Sequence, residues 1–336
     1  MSYRIAIAVT EPGFPDYRQE RSILEPLPAR LEARTCCTAT ELVDLCRDAD
    51  AILVHHASFT KEVIDQLTRC KVIVRYGIGY DTIDIEAAAA RGIPVVNVPD
   101  YGVQEVADHT WALLLGTVRR VPAMDRNVRA GDWRMASVGP IMGLRDKVLG
   151  LAGFGNIARE VARRAQGFGL KITAYDPFVP DEVFGEMGVR RVDLHTLLGE
   201  SDIITSHLPL TPDTKHLFNR EAFGRMKNTA YLINTSRGGV VHTDDLVWAL
   251  DNGVIAGAGL DVFDLEPLPE GHPLLKVDGC VLSPHAAWYS EDSVDRLQRY
   301  AALEVERVLK GQQPKHVVNG IRIGGREERE ERKSDA

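Results

Sequence analysis

The sequence of 336 residues lacks most of what would send a protein to a membrane, to nucleic acid or to a disulfide-bonded fold. No apolar run approaches the roughly 18 residues that suggest a membrane-spanning helix. The amino terminus passes straight into a strand-like run, without the basic segment and small-residue cleavage site of an export leader, so a cytoplasmic protein is expected. Excess positive charge is missing too. Forty Lys and Arg stand against 48 Asp and Glu, a net charge of −8, which gives no electrostatic footprint for nucleic acid or an anionic membrane. The cysteines Cys36, Cys37, Cys46, Cys70 and Cys280 are odd in number and show no CxxC spacing. They predict neither a disulfide framework nor a metal site, and read as small buried hydrophobes kept reduced.

What is present is a soluble-protein composition, 44% hydrophobic and 26% charged, on a chain long enough for two domains. Short apolar runs at residues 3–9, 51–55, 71–76 and 93–98 form one series of strand candidates. A second series lies at residues 147–152, 170–175, 202–206, 230–234, 255–260 and 279–282. Between them, residues 60–68, 84–91, 156–167, 220–226 and 243–252 have helical spacing. Such alternation predicts an α/β protein with two Rossmann-like domains, each built on a parallel sheet whose buried strands read as near-continuous apolar runs. Residues 104–129 predict one extended helix between the two blocks, and residues 291–309 another that returns to the first. The expected domains are therefore 1–101 with 290–320, for substrate, and an inserted 102–289, for a nucleotide. Residues 321–336 read as a mobile charged tail.

The run at 148–152 enters Gly153-Phe154-Gly155-Asn156-Ile157-Ala158, a G-x-G-x-x-A pattern. Gly153 permits the tight turn, Gly155 lets the backbone approach a pyrophosphate, and Ala158 packs the helix on the strand. The pyrophosphate would rest on the helix that begins at Asn156. Asp176, closing the next strand, would accept hydrogen bonds from the adenosine ribose hydroxyls and repel the extra phosphate of NADP, and no arginine follows it. The cofactor expected is NAD.

Three more segments follow strand-like runs: Asn234-Thr235-Ser236-Arg237-Gly238-Gly239, Gly259-Leu260-Asp261-Val262-Phe263-Asp264-Leu265-Glu266-Pro267, and Ser283-Pro284-His285-Ala286-Ala287-Trp288. Together they offer a cation for a substrate carboxylate, an imidazole as acid and base, and a carboxylate to orient it and favour its protonated form. With Tyr76-Gly77-Ile78-Gly79-Tyr80-Asp81, Asn97-Val98-Pro99, Glu105-Val106-Ala107-Asp108-His109 and His207-Leu208-Pro209, the chain resembles the D-isomer-specific 2-hydroxyacid dehydrogenase family from about residue 51 to 319. Its Arg75–Asp84 and Pro284–Glu291 stretches are most similar to the branch that contains the C-terminal-binding protein corepressors.

The resemblance implies an NAD-dependent oxidoreductase that moves a hydride to or from C2 of a small anionic 2-oxo or 2-hydroxy acid. Arg237 would bind the carboxylate, His285 would exchange the proton, and Glu266 would hold His285. The backbone of Ile78 and Gly79 would cradle the substrate carboxylate, and Arg75 would point toward the substrate pocket. Tyr76 and Trp288 themselves read either as walls of that substrate pocket or as ordinary packing. Thr110, Phe154, Ile157, His207, Leu208, Pro209, Thr214, Thr235, Ser236, Asp261 and Ala287 would line the cofactor beside Gly153, Gly155, Asn156 and Asp176. A cation at Arg75 would suit a second acidic group, or equally would assist with the single carboxylate or pair with Asp81 or Asp84; a phosphonate or another unusual acid stays open beside glyoxylate, hydroxypyruvate or a bulky apolar acid. An NAD(H)-sensing, corepressor-like binding protein is the rival reading. The family also places a two-fold dimer contact on the 104–129 segment, and Val106, Trp111, Leu113, Leu114, Leu115 and Val118 there suggest surplus apolar surface.

Overall fold

Apolar, β-branched runs flanked by amphipathic helices have one economical solution, a parallel sheet covered on both faces. The chain adopts it twice. The computed structural model describes residues 2–10 and 13–323, so nearly all of the charged stretch expected to be mobile lies outside the described residues. The chain divides into two units, one running to Gly102 and resuming at Ser290, the other spanning Val103–Tyr289.

In the first unit the strands are β1 (Tyr3–Val9), β2 (Ala29–Thr35), β3 (Ala51–Val54), β4 (Ile73–Arg75) and β5 (Val95–Val96), all parallel, in the order β2-β1-β3-β4-β5. The second unit carries β6 (Val148–Ala152), β7 (Lys171–Tyr175), β8 (Arg190–Arg191), β9 (Ile203–Ser206), β10 (Tyr231–Asn234), β11 (Gly257–Leu260) and β12 (Cys280–Leu282). Their order is β12-β11-β10-β9-β6-β7-β8, again all parallel. The order reverses between β6 and β9, and in open sheets of this kind the loops that diverge at the reversal leave a crevice for a ligand. Among the described residues, no helix is long and apolar enough to cross a membrane.

Two expectations are corrected here. Residues 104–129 do not form one helix. Val103–Val118 and Val121–Arg129 are separate, and Arg120 between them is left-handed at φ 52°. Pro122 explains the break, since its ring admits only the first turn of a new helix. Nor is the apolar face of the first helix surplus. Trp111, Leu113, Leu114 and Val118 are buried and Leu115 packs partly buried in the core of their own unit, and Val106 is buried too. Trp111 stacks on Phe168 at 4.5 Å and donates its indole N–H to Val161.

The helices Arg18–Leu24 and Glu291–Leu309 meet over a buried polar knot in the first unit. Glu20 is wholly inaccessible, accepts from Tyr76 Oη at 2.6 Å and from Gln298 Nε2 at 3.3 Å, and Gln298 also donates to the Asp16 carbonyl. Burial pushes the Glu20 carboxyl above its ordinary value, and the hydrogen bonds from Tyr76 and Gln298 offset only part of that. A carboxyl raised on folding stabilises the fold fully below its unfolded pKa, and that contribution is lost as pH rises through the folded value. Glu20→Gln keeps an acceptor for Tyr76 and has no charge to bury. Its unfolding midpoint should exceed the parent's at pH 8, and the gap should close towards pH 4. Thermal melts across that range test this, and a gap that widened in acid would contradict it.

Candidate active site

The reversal between β6 and β9 puts two loops side by side. Gly153 follows β6 and His207 follows β9. Gly153 has φ 90°, and a Cβ there would lie 2.9 Å from the His207 carbonyl oxygen, so only glycine lets the loops approach. A Cβ on Gly155, by contrast, would meet nothing within 4 Å. The twelve-residue helix Asn156–Gly167 begins there, with no side chain capping its first turn. Its leading amides therefore suit an anionic ligand. Asp176 stands at the end of β7. Its Oδ2 accepts the amide of Phe154 and its Oδ1 that of Phe178, each at 2.9 Å, which fixes the carboxylate beside the glycine loop. These features fit a dinucleotide, with the pyrophosphate on the loop and the ribose at Asp176.

The other expected cofactor residues sort into surface and support. Asn156 is exposed and Ile157 half-buried. Phe154 is fully buried and stacks on Phe184 at 4.6 Å, so only its backbone belongs to the loop. Thr110 bonds Thr235 at 2.8 Å, and Ser236 bonds Ser206 at 3.0 Å and Asn234 at 2.8 Å. Thr214 is tied to Thr211 and to the Pro209 carbonyl, closing the turn after Leu208. Burial pushes the His207 imidazole down to about 3, so it is neutral at physiological pH.

The neighbouring strands β10, β11 and β12 each deliver one expected catalytic residue at the same sheet edge. Arg237 lies three residues beyond β10, Glu266 six beyond β11 and His285 three beyond β12. Glu266 Oε2 meets His285 Nδ1 at 2.6 Å, and Oε1 accepts the Phe263 amide at 2.8 Å. A carboxylate only accepts, so Nδ1 carries a proton and any proton exchanged with substrate uses Nε2. Arg237 donates Nη1 to the Ser236 carbonyl at 2.7 Å, and Asn234 Nδ2 braces the Arg237 carbonyl at 2.9 Å. Gly238, unassigned by the sequence reading, is why the Arg237 and Glu266 segments lie together. A Cβ on it would fall on the carbonyl of Phe263.

Asp261 is a bracket for the His285 turn. It is fully buried; its carbonyl accepts the His285 amide at 2.7 Å, and its carboxylate accepts those of Ala286 and Ala287 at 2.9 and 2.8 Å. Ser283 donates to the same carboxylate at 2.5 Å, and His109 Nε2 lies 2.8 Å from the Ser283 oxygen. Burial alone would raise the Asp261 carboxyl, but the hydrogen bonds from His109, Ser283, Ala287 and Ala286 outweigh it and hold it below its ordinary value. His109 and Ser283 both stand in the segments that carry the family resemblance, but 174 positions separate them and nothing local in the sequence pairs them or gives either a role.

In the first unit, Arg75 closes β4, buried, with Nη2 3.3 Å from His56 Nδ1. Asn97 donates to the Ile78 carbonyl at 2.7 Å and so pins the loop through Gly79. Tyr76 is a correction. Its ring is fully buried and its hydroxyl engaged by Glu20, so its side chain belongs to the interior and does not wall a pocket. Trp288 is half-buried in the second unit, edge-on to the exposed Tyr289.

Residues 111–287 match the model of the D-isomer specific 2-hydroxyacid dehydrogenase, NAD binding domain. The chain belongs to that family. A glyoxylate reductase of Korarchaeum cryptofilum is 41% identical over 283 residues, 83% of this chain and 85% of that protein. A D-3-phosphoglycerate dehydrogenase of Methanocaldococcus jannaschii is 38% identical over 94% of this chain, which spans only 59% of that longer protein. Among solved structures, a D-lactate dehydrogenase of Aquifex aeolicus, complexed with NAD and lactic acid, has a TM-score of 0.81 at 30% identity. That match covers 91% of this chain and 96% of the neighbour. As a member of the family the chain is a nicotinamide-dependent oxidoreductase acting on the CH–OH group of 2-hydroxy acids, and its two parallel-sheet units are of the Rossmann type.

Proposed function

We propose that this enzyme is an NAD-dependent reductase of small 2-oxo acids, with His285 as the proton donor, Glu266 as its partner and Arg237 as the carboxylate ligand. The observation that carries the reading is the 2.6 Å His285–Glu266 pair on the sheet edge that also presents Arg237. A bound nicotinamide supplies the hydride. Arg237 holds the substrate carboxylate and polarises the C2 carbonyl. As negative charge develops on that oxygen, His285 gives up its Nε2 proton and keeps Nδ1–H on Glu266. Arg75, Trp288 and the amides of Ile78 and Gly79 are assigned to substrate binding. NADH consumption against a panel of 2-oxo acids tests the reading. Tight NADH binding with no turnover on any acid would favour an NAD(H)-sensing binder instead.

The choice of NAD rests on Asp176, whose fixed carboxylate would repel a ribose phosphate. Asp176→Ala should narrow the preference for NADH over NADPH by at least about tenfold, mainly through KM, equivalent to ~1.4 kcal/mol. Steady-state kinetics with both cofactors measure it, and an unchanged ratio would move cofactor choice elsewhere.

A homodimer is part of the proposal. The apolar surface that supports it begins after the residues first expected to supply it: Val121 and Val128, at the end of the 104–129 segment, and Trp133 and Met135 just past it are 46–80% exposed. The unpaired state of all five cysteines supports a cytoplasmic setting.

A further inference from the structure

We propose that His109 is a positioning residue of this reaction, acting through Ser283 and Asp261 on the turn that presents His285. The inference rests on the reading of His285 as the proton donor.

His285 has φ 54°, in the left-handed region that a residue with a Cβ rarely occupies. Such a conformation persists only where its surroundings over-determine it. Here the amides of three consecutive residues, His285, Ala286 and Ala287, are all received by Asp261, one by its carbonyl and two by its carboxylate. The turn is therefore as well fixed as that carboxylate.

The direction of the hydrogen bonds through Ser283 follows from chemistry alone. The ionised Asp261 carboxylate can only accept, so the Ser283 hydroxyl proton points at it. The Ser283 oxygen is left as an acceptor, and His109 Nε2 at 2.8 Å must donate to it. His109 Nε2 also lies 3.4 Å from Asp261 Oδ1, so its N–H edge faces both groups. One helical residue thus sets the hydroxyl's orientation, the hydroxyl satisfies the buried carboxylate, and the carboxylate holds the strained turn. The helix that carries His109, Val103–Val118, is packed into the core of this unit through Trp111, Leu113 and Leu114, so the donor has a rigid mount.

Two measurements test this. In cofactor-free protein, long-range ¹H–¹⁵N correlation spectra should show His109 protonated on Nε2. The His285 ring resonances should move in His109→Ala and in Ser283→Ala, but stay near the parent's in His109→Gln, whose side-chain amide can donate from the same place. In turnover, His109→Ala should lower kcat by about tenfold or more with substrate KM within about twofold, since a small misplacement of a reacting group costs rate. His109→Gln should recover most of that, and His109→Ala with Ser283→Ala should cost no more than the worse single change. If His109→Ala does not fold, Ser283→Ala and His109→Gln carry the comparison. A His109 protonated only on Nδ1, His285 resonances indifferent to all three changes, or a parent-like kcat in His109→Ala would each overturn the proposal. A parent that reduces no 2-oxo acid would instead defeat the assigned function, while the spectra would still report on the hydrogen-bonded chain.

Discussion

Replacing His285 by asparagine should lower kcat for 2-oxo acid reduction by about 10²–10⁴-fold. NADH affinity should stay within about twofold, because the loss falls on the transition state and not on ground-state cofactor binding. Asparagine is the informative choice because the residue sits at φ 54°, where asparagine is tolerated far better than alanine. The turn is then kept while the titrating ring is removed. The carboxylate partner makes a second, graded test. Both Glu266 oxygens are acceptors, one for His285 Nδ1–H and one for the Phe263 amide. An amide in its place has only one acceptor, so Glu266→Gln must set a donor against one of those N–H groups. A kcat loss of roughly 10²-fold or more is expected by the same logic that makes a misdirected imidazole inactive in triad enzymes. Single-turnover kinetics beside NADH fluorescence titration separate chemistry from binding. An asparagine variant that kept a tenth or more of the parent's rate at neutral pH would remove His285 from the mechanism.

What is legible in the sequence alone is whatever physical constraint leaves a local trace. Buried parallel strands leave one, since a strand covered on both faces reads as a near-continuous apolar run, as β6 and β11 do and as β9 and β10 do up to the polar residues at their carboxyl ends. The glycine loop and the residues Arg237, Glu266 and His285 were legible because each follows a strand at the edge where chemistry collects. Edge strand β2 was not. Its ARLEART sequence alternates charges on a half-exposed border, where paired apolar residues are not needed and charge discourages edge-to-edge association. Long-range pairings left no trace either. Tyr76 beside a glycine loop reads as a pocket wall, and only the fold reveals that Glu20, 56 positions away, takes its hydroxyl. Residues 104–129 read as one helix because the apolar periodicity continues past Arg120, although Pro122 forbids a single helix.

Gly238→Ala should be almost as damaging as loss of the histidine, although Gly238 supplies no functional group. A methyl at this position would occupy the space of the Phe263 carbonyl and crowd the Asp264 amide. These are backbone atoms, which cannot swing aside as the end of a side chain can. Gly239 gives the overlap no easy exit, since its own Cβ position is already lined by Leu210 at 3.1 Å and Asp264 Oδ1 at 3.3 Å. Either the Arg237 turn or the segment from Phe263 to Glu266 must therefore shift. An overpacked interior of this kind costs typically ~1–3 kcal/mol, or roughly 2–4 °C in Tm per kcal/mol for a unit of this size. The larger penalty is kinetic. Misplacing a catalytic group by about 1 Å can cost about 10²-fold in rate, and here the displaced group is either the carboxylate ligand or the partner of the proton donor. The two cases are separable. A displaced Arg237 raises the substrate KM along with the loss of kcat, whereas a displaced Glu266 lowers kcat at nearly constant KM. NADH binding should survive where the segment from Phe263 to Glu266 moves, because the nucleotide loop after β6, Asp176 after β7 and the cofactor-lining Thr235 and Ser236 lie beyond other strands; where the Arg237 turn moves it should weaken, since Thr235 and Ser236 belong to that turn. A folded Gly238→Ala protein with parent-like kcat/KM would mean that the close approach of these two segments has no part in catalysis.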